Sequence, residues 1–443
     1  MVLLAAALSV AGGLLAASEP AGTGGAFVAL PLLGALGWWF AGWSAASLED
    51  RRSARRIYAL ALAVRVPVLF FIHASFDRNT LAPDQGQYDW YSVMLLDYWE
   101  GKAAFPSLYI PAGRKLYFTI CASFYWLFGR SPIGPKLLNA VAGSLAAAVV
   151  YRLTRHFSER RRAALIAGTL AAVLPSLILW SVLQIRDALA ILALVMLFEA
   201  FTRFQERPTP FVLAGGILCF WLVLQLRDYL IYPLGASLLA GILLGRSHSL
   251  GGRRALAALA LLALLVIGAT TSGYSEPFLQ EIDLEKLQQQ RENLASGGSA
   301  FAPEADISSP TGALAHLPLG LVYFLLGPFP WQVGTIRQVM AVPEMLAWYG
   351  FLPFLFSGMV LLWRSQGLRL FAMAGFTASA TVMYSLVEGN LGTAFRHRAQ
   401  VLVFFLVFIG VGLDGYLERR AQEREKKPKV PGRPSGLPLS VKS

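Results

Sequence analysis

A short acidic and aromatic segment, residues 83–91, carries the first side chains that could do chemistry. It reads Pro-Asp-Gln-Gly-Gln-Tyr-Asp-Trp-Tyr and places two carboxylates, Asp84 and Asp89, five residues apart. A carboxylate can act as a general base that takes a proton from an attacking hydroxyl group. The structural alternative is that Asp84 caps a helix beginning at Gln85. The segment therefore supplies two candidate catalytic residues, Asp84 and Asp89.

Two Arg-Asp pairs interrupt the apolar sequence further along, at Arg186-Asp187 and Arg227-Asp228. The planar guanidinium group of arginine suits phosphate because it offers two parallel hydrogen bonds. Asp187 could cap the following helix, or complete a metal or phosphate site together with Asp84. Either pair could also anchor a helix end at the lipid headgroups. We predict Asp187 as a catalytic residue, with Asp84 as its partner if a metal is bound, and Arg186 as a phosphate ligand.

A basic segment, residues 388–398, precedes the last apolar run and reads Glu-Gly-Asn-Leu-Gly-Thr-Ala-Phe-Arg-His-Arg. Positive residues crowded on the outer side of a membrane run against the usual distribution of charge, so an anion is expected to compensate them. A lipid phosphate is the natural candidate, and ordinary headgroup contact is the alternative. We predict that Arg396, His397 and Arg398 bind a lipid phosphate, although the histidine alone carries little weight.

A rigid amphipathic corner follows from residues 325–331, which read Leu-Leu-Gly-Pro-Phe-Pro-Trp. Such a corner suits the wall of a lipid-chain site, and an aromatic belt at the membrane surface is the common alternative. The candidate substrate contacts are polar or aromatic side chains within the segments above: Gln85, Tyr88, Glu388, Asn390 and Trp331.

The composition indicates a membrane protein. Of 443 residues, 56% are apolar and 14% are charged, and the mean hydropathy is +0.54, whereas a soluble domain carries roughly a quarter charged residues. The net charge of +12 does not indicate nucleic acid as a partner, because the basic residues gather between apolar runs. Cys121 and Cys219 lie within apolar runs and offer no metal-ligand spacing.

The apolar windows divide the chain into about a dozen candidate membrane helices. They are residues 1–17, 26–46, 57–75, 135–151, 163–182, 188–201, 211–226, 229–244, 255–271, 343–363, 368–387 and 401–416. Strands are not expected, because no alternating ten-residue pattern is present. The predicted fold class is an all-α polytopic membrane protein of about 12 transmembrane helices, with two long outer loops that bear short interfacial helices.

The orientation follows from the positive-inside rule. Most Lys and Arg residues fall in alternate connections and in the tail, which the rule places in the cytoplasm. The long loops 76–134 and 272–342 then face the periplasm or the exterior. The apolar segments 115–128 and 317–329 are short for a span, so we expect both to lie on the outer surface.

These boundaries define the predicted units of the chain. They are two N-terminal helices (residues 1–50, the first open to being a signal peptide), a catalytic membrane core (51–271), an outer loop (272–342), C-terminal membrane helices (343–418) and a disordered basic cytoplasmic tail (419–443). No P-loop, dinucleotide fingerprint, HExxH or GxSxG motif is present, which argues against nucleotide hydrolysis, zinc proteolysis and serine acyl transfer.

The order of these features resembles the GT-C superfamily of membrane glycosyltransferases, in particular the bacterial polyprenyl-phosphate-sugar-dependent enzymes related to protein mannosyltransferases and aminoarabinose transferases. The motifs that carry the resemblance are the acidic segment 84–91, the helix 115–129, the span 136–153, the tripeptide Leu174-Pro175-Ser176 and the segment 185–190. The similarity is best over residues 57–204 and returns at 388–398.

The resemblance implies roles for individual residues. Asp84 would be the catalytic base, Asp187 the acidic residue of the second outer loop, and Arg396 and Arg398 the lipid-phosphate ligands. Many members carry a second acidic residue where this chain has Gln85. A divalent metal, Mg²⁺ or Mn²⁺, therefore stays open as a cofactor.

The resemblance also implies an activity: an integral-membrane enzyme of the bacterial cytoplasmic membrane that moves a hexose or pentose from a polyprenyl-phosphate donor to an acceptor on the outer face, with inversion. Its partners would be the polyprenyl-phosphate sugar, the bilayer, and a glycan, lipid or protein acceptor. Two alternatives stay open. A polysaccharide repeat-unit polymerase or ligase would use lipid-pyrophosphate oligosaccharides and favour arginines over carboxylates. A lipid-linked sugar transporter or flippase would need charged residues near the midplane and related halves.

Overall fold

The computed structural model describes residues 23–104, 114–245, 261, 284–295 and 299–426. Within these residues the backbone forms α-helices and short 3-10 turns, with an isolated β-bridge between Ala300 and Asn390. The predicted all-α fold is therefore confirmed for the described part of the chain. The predicted span 1–17, the predicted span 255–271 except for residue 261, and the tail beyond residue 426 lie outside the described residues. Residues 419–426, predicted as part of a disordered tail, are helical because they continue the helix Leu391–Lys426.

The helices of the first half are α1 (Thr23–Trp43), α2 (Leu48–Ser75), α3 (Arg78–Leu81), α4 (Gln85–Trp99), α5 (Lys115–Phe128), α6 (Ile133–Phe157), α7 (Arg161–Val173), α8 (Pro175–Leu179), α9 (Asp187–Glu206), α10 (Pro210–Leu226) and α11 (Ile231–Leu244). Side-chain caps fix where two of them begin: the Ser47 hydroxyl accepts from the Asp50 amide at the start of α2, and the Thr209 hydroxyl accepts from the Val212 amide at the start of α10.

The helices of the second half are α12 (Leu284–Leu294), α13 (Pro310–Leu326), α14 (Ile336–Gln366), α15 (Phe371–Val387) and α16 (Leu391–Lys426). A capping box starts α14, because the Thr335 and Gln338 side chains satisfy each other's backbone amides. A 3-10 turn, Gly367–Leu370, joins α14 to α15.

Four helical stretches are long and apolar enough to cross a membrane. They are Leu48–Ser75, Ile133–Phe157, Gln338–Val387 and Leu391–Lys426. Shorter apolar helices accompany them: Val28–Trp43, Pro210–Leu226, Asp228–Leu244 and Pro310–Leu326. These lengths fit a multi-pass membrane protein. The predicted total of about 12 spans stays a prediction, because two of the windows lie outside the described residues.

Two sets of side-chain contacts identify the two ends of the helix bundle. At one end, which we call the basic end, Arg160 and Arg162 bind Asp414 of α16. At the other, the loop end, the Gln184 amide donates to the Gln85 side chain at 2.9 Å. The short helices α4 and α5 lie between two loop-end connections. That α5 and α13 lie on the outer surface without crossing the membrane stays a prediction.

A helix break between α7 and α8 shapes the loop end, and a buried arginine stabilises it. Pro175 interrupts the helix and frees the carbonyl groups of the preceding turn. The guanidinium group of Arg65 in α2 is 1% exposed and donates to the carbonyl of Ala172 at 2.8 Å and to the Ser181 hydroxyl at 2.9 Å. Arg65 thereby fixes the turn that leads to residues 182–186.

Replacing this arginine gives a first testable prediction. Arg65→Met keeps an unbranched apolar stem but leaves the Ala172 carbonyl and the Ser181 hydroxyl without their donor. Buried polar groups that lose a partner cost about 1–3 kcal/mol each, so we expect a lower midpoint of thermal unfolding in detergent. Arg56→Met on an exposed position of the same helix is the control and should leave the midpoint unchanged. Equal midpoints for both variants would contradict the proposed support of the break.

Candidate functional site

The guanidinium group of Arg396 joins two carboxylates at the loop end. Its Nη1 donates to both oxygens of Asp84, at 3.0 and 3.1 Å. Its Nε and Nη2 donate to Oδ2 of Asp187, at 3.0 and 2.6 Å. The three residues come from the start of α4, the start of α9 and the second turn of α16. The structure therefore brings together three of the predicted site residues that lie far apart in the sequence.

Asp84 occupies the position before the first residue of α4, where a cap would be expected. Its side chain makes no capping hydrogen bond and turns to Arg396 instead. The carboxylate is 28% exposed, so it is accessible from the loop end. The cap interpretation is therefore wrong for the Asp84 side chain. Its carboxylate instead belongs to a group of ion-paired side chains around Arg396 and Asp187, which we call the cluster.

Asp187 is the buried centre of the cluster. Its carboxylate is fully buried, and Arg227 holds Oδ1 while Arg396 holds Oδ2. As the first residue of α9 it also lies at the positive end of the helix dipole, which stabilises an anion. Sequence reasoning left Arg227 out of the site, although the repeated Arg-Asp pair at the next loop-end turn was the available signal.

A second acid-base pair adjoins Arg227. The Nε2 atom of His397 lies 3.2 Å from Nη1 of Arg227, and its Nδ1 bonds to the carboxylate of Glu388. Glu388 also accepts from the Thr393 hydroxyl at 2.6 Å. The structure thus links His397 directly to Arg227, and it links Glu388 to Arg227 through His397. The sequence predicted His397 as a phosphate ligand and Glu388 as a substrate contact.

Arg186 and Trp180 lie on the turn before α9. Arg186 is buried, and burial together with the nearby charge of Arg227 lowers the pKa of Arg186. The guanidinium of Arg396 lies 5.8 Å from the centre of the Trp180 ring, a cation–π distance. Sequence reasoning missed Trp180, because a tryptophan inside an apolar run cannot be distinguished from an ordinary membrane-helix residue.

The other predicted residues of α4 hold the helix in place. Asp89 pairs with Arg78 at 2.7 Å and accepts from the Tyr125 hydroxyl, so the structure does not bring it to Arg396. Gln85 bonds to the turn before α9 through the Gln184 amide. Tyr88 is buried edge-on against another tyrosine, with ring centres 5.1 Å apart.

Three further predicted residues contact partners other than Arg396. Asn390 accepts from the Gly392 amide and so stabilises the start of α16. Arg398 points elsewhere and donates to the Leu325 carbonyl at 2.7 Å. Trp331 is 76% exposed and stacks on its neighbour in the 325–331 corner.

A metal fits this cluster poorly. Among the described residues, no group of three or more His, Cys, Asp and Glu side chains is arranged to hold a metal ion. Asp84 and Asp187, the predicted ligands, have a guanidinium group between them instead. The two carboxylates therefore form ion pairs with an arginine rather than a metal-ligand pair.

Part of the second predicted loop packs against the site. Arg291 of α12 is buried and donates to the carbonyls of Glu388 and Ala302. The Phe301 amide donates to the Gly389 carbonyl at 2.9 Å. These contacts fix the segment that carries Glu388, and sequence reasoning did not single out Arg291.

Comparisons with known proteins yield a structural relative. No protein-family model matches the chain, and no curated protein matches it. The fold is similar to the crystal structure of ArnT from Cupriavidus metallidurans bound to undecaprenyl phosphate, with a TM-score of 0.52 and 18% sequence identity. The match covers 83% of this chain and 61% of that chain, so this chain spans less than two thirds of its neighbour. The likeness confirms, at the level of the fold, the resemblance drawn from the sequence.

Proposed function

We propose that this membrane protein is a glycosyltransferase that moves a sugar from a polyprenyl-phosphate donor to the hydroxyl group of an acceptor. One observation carries the proposal: a partly exposed carboxylate, Asp84, contacts the guanidinium group of Arg396 at one end of a membrane bundle. A base and a phosphate ligand are the two groups that such a reaction needs. The structural neighbour's undecaprenyl phosphate, a ligand of that protein, supports the choice of donor class.

The donor's chemistry suits the location of the cluster. A polyprenyl chain remains in the bilayer, while its phosphate and sugar lie at the surface. Arg396 offers the phosphate parallel charge-assisted hydrogen bonds and stabilises the negative charge that grows on it as the sugar leaves. The ring of Trp180 contacts the guanidinium group of Arg396 and limits the positions that this group can take.

The donor phosphate competes with Asp84 for the same guanidinium group. Asp187 is fully buried and held by two arginines, whereas Asp84 is partly exposed and meets Arg396 through Nη1. The Asp84 pair is the more exposed of the two and therefore the weaker, so the phosphate displaces Asp84 rather than Asp187. The released carboxylate then faces the acceptor as a general base.

The transfer is a single displacement. The acceptor oxygen attacks the anomeric carbon, and the bond from that carbon to the phosphate oxygen breaks. The electron pair goes to the phosphate beside Arg396, and the acceptor proton goes to Asp84. Attack opposite the leaving phosphate inverts the anomeric configuration.

The charge distribution supports one orientation in the membrane. By the positive-inside rule the arginines of the basic end favour the cytoplasm, and this supports a cluster on the periplasmic or exterior side of a bacterial cytoplasmic membrane. In the polymerase or ligase alternative, arginines should outweigh carboxylates at the site. Three carboxylates, Asp84, Asp187 and Glu388, match three arginines, Arg186, Arg227 and Arg396, at the site, so arginines do not outweigh carboxylates, and this favours the transferase.

A transfer assay tests the proposal. The purified protein is incubated with radiolabelled polyprenyl-phosphate sugars and candidate glycan, lipid or protein acceptors, and transferred label is counted. We expect label in an acceptor that depends on the donor's polyprenyl phosphate. Binding of polyprenyl phosphate is measured in parallel. A protein that neither binds polyprenyl phosphate nor transfers any of the sugars would contradict the proposal.

A further inference from the structure

Arg227 is a buried cation whose two terminal nitrogens have different partners. Nη2 donates to Oδ1 of Asp187. Nη1 donates to the Tyr229 hydroxyl at 2.9 Å and lies 3.2 Å from Nε2 of His397. The orientation of the guanidinium group, and through it that of Asp187, therefore depends on what His397 presents to it.

The partners of His397 specify its tautomer. Arginine stays protonated in proteins and only donates, so Nε2 of His397 must carry a lone pair. The proton of a neutral imidazole then lies on Nδ1, which donates it to the Glu388 carboxylate. The ring stacks on Tyr384, with centres 5.2 Å apart and planes inclined by 23°. The imidazole is therefore held by a carboxylate on one side and an aromatic face on another.

We propose that His397 is a positioning residue for the transfer reaction: its neutral imidazole, oriented by Glu388, holds Arg227 so that Asp187 presents Oδ2 to Arg396. The inference rests on the proposed function. It replaces the expectation that His397 binds phosphate, because both ring nitrogens already have protein partners.

A change at His397 alters the transfer rate through Asp187. The two oxygens of its carboxylate move as one unit, with Oδ1 on Arg227 and Oδ2 on Arg396. Without the acceptor at Nε2, Arg227 keeps the Tyr229 hydroxyl and Asp187 as partners but loses the third contact that fixes the tilt of its guanidinium group, and the carboxylate turns with it. Arg396 then meets the phosphate in a poorer geometry. Misplacements of about 1 Å cost roughly 10²-fold in rate, so the loss should fall mainly on kcat.

Two amide substitutions distinguish the roles of the two ring nitrogens of His397. The amide of His397→Gln reaches the position of Nε2 and keeps an acceptor for Arg227, whereas the amide of His397→Asn reaches only the position of Nδ1 and the contact with Glu388. We expect His397→Gln to keep most of the transfer rate, and His397→Asn to lose about 10- to 100-fold in kcat. His156→Asn is the control, since His156 lies 3.5 Å from Glu206 at the basic end, and should leave kcat unchanged.

A spectroscopic measurement reports the protonation of the ring in the wild-type chain itself. The chain has five histidines, so selective ¹⁵N labelling, with His397→Gln to assign the signal, identifies the tautomer. We expect a neutral ring protonated at Nδ1. A ring protonated at Nε2 would overturn the inference, and so would His397→Gln transferring no better than His397→Asn. No transfer by the wild-type protein would instead refute the proposed function.

Discussion

Asp84→Asn should reduce sugar transfer by about 10²- to 10⁴-fold, the range that a general base contributes. Asparagine keeps the size of the side chain but takes no proton from the acceptor hydroxyl. The carboxylate lies at the partly exposed edge of the cluster, so we expect the fold to survive. The measurement is the initial rate of transfer at saturating donor, alongside the thermal midpoint in detergent.

The same variant should bind polyprenyl phosphate more tightly than the wild type. In the wild type the phosphate has to displace the Asp84 carboxylate from Arg396, and the variant removes that charge. Solvent-exposed ion pairs contribute roughly 0.2–1 kcal/mol, and this pair is more buried than those, so the gain in affinity should be about fivefold or more. Asp89→Asn is the control, because Asp89 pairs with Arg78 away from the cluster. Full transfer activity in Asp84→Asn would remove Asp84 from the mechanism.

Arg396→Gln should lower transfer by about 10²- to 10³-fold, because the leaving phosphate loses the group that stabilises its growing charge. Donor binding should weaken as well, since glutamine offers no cation. Arg396→Lys should recover part of the binding but not the rate, because an ammonium group cannot hold Asp187 and the phosphate in one plane.

Two measurements separate this effect from misfolding. Arg130→Gln changes an exposed arginine in the connection before α6 and should leave both rate and affinity unchanged. The thermal midpoint of Arg396→Gln shows whether the buried Asp187 still has enough support from Arg227. A folded Arg396→Gln protein with normal affinity for polyprenyl phosphate would exclude Arg396 as the phosphate ligand.

The convergence of Asp84, Asp187 and Arg396 was within reach of sequence reasoning. Charged residues at the ends of apolar runs are costly, and all three fall on the same predicted side of the membrane. What the sequence could not specify is side-chain direction. Successive residues on a helix are about 100° apart, so Arg398 points roughly 200° away from Arg396 and bonds to the Leu325 carbonyl instead.

Buried polar groups inside the bundle were harder to predict. Arg65 lies in an apolar window, and its position alone could not distinguish a side chain that reaches the membrane surface from one that satisfies a helix break. The lengths of the helices also differ from the apolar windows. Helix α16 runs over Leu391–Lys426 rather than 401–416, because helical hydrogen bonds continue into polar sequence where hydropathy no longer identifies them.

The most direct measurement is a structure of the protein with undecaprenyl phosphate bound. The phosphate should lie within hydrogen-bond distance of the Arg396 guanidinium group, with Asp187 still paired to Arg227 and Asp84 released toward the loop end. A phosphate bound elsewhere, at Arg398 for example, or a bound phosphate with the Asp84–Arg396 pair intact, would contradict the competition on which the mechanism depends.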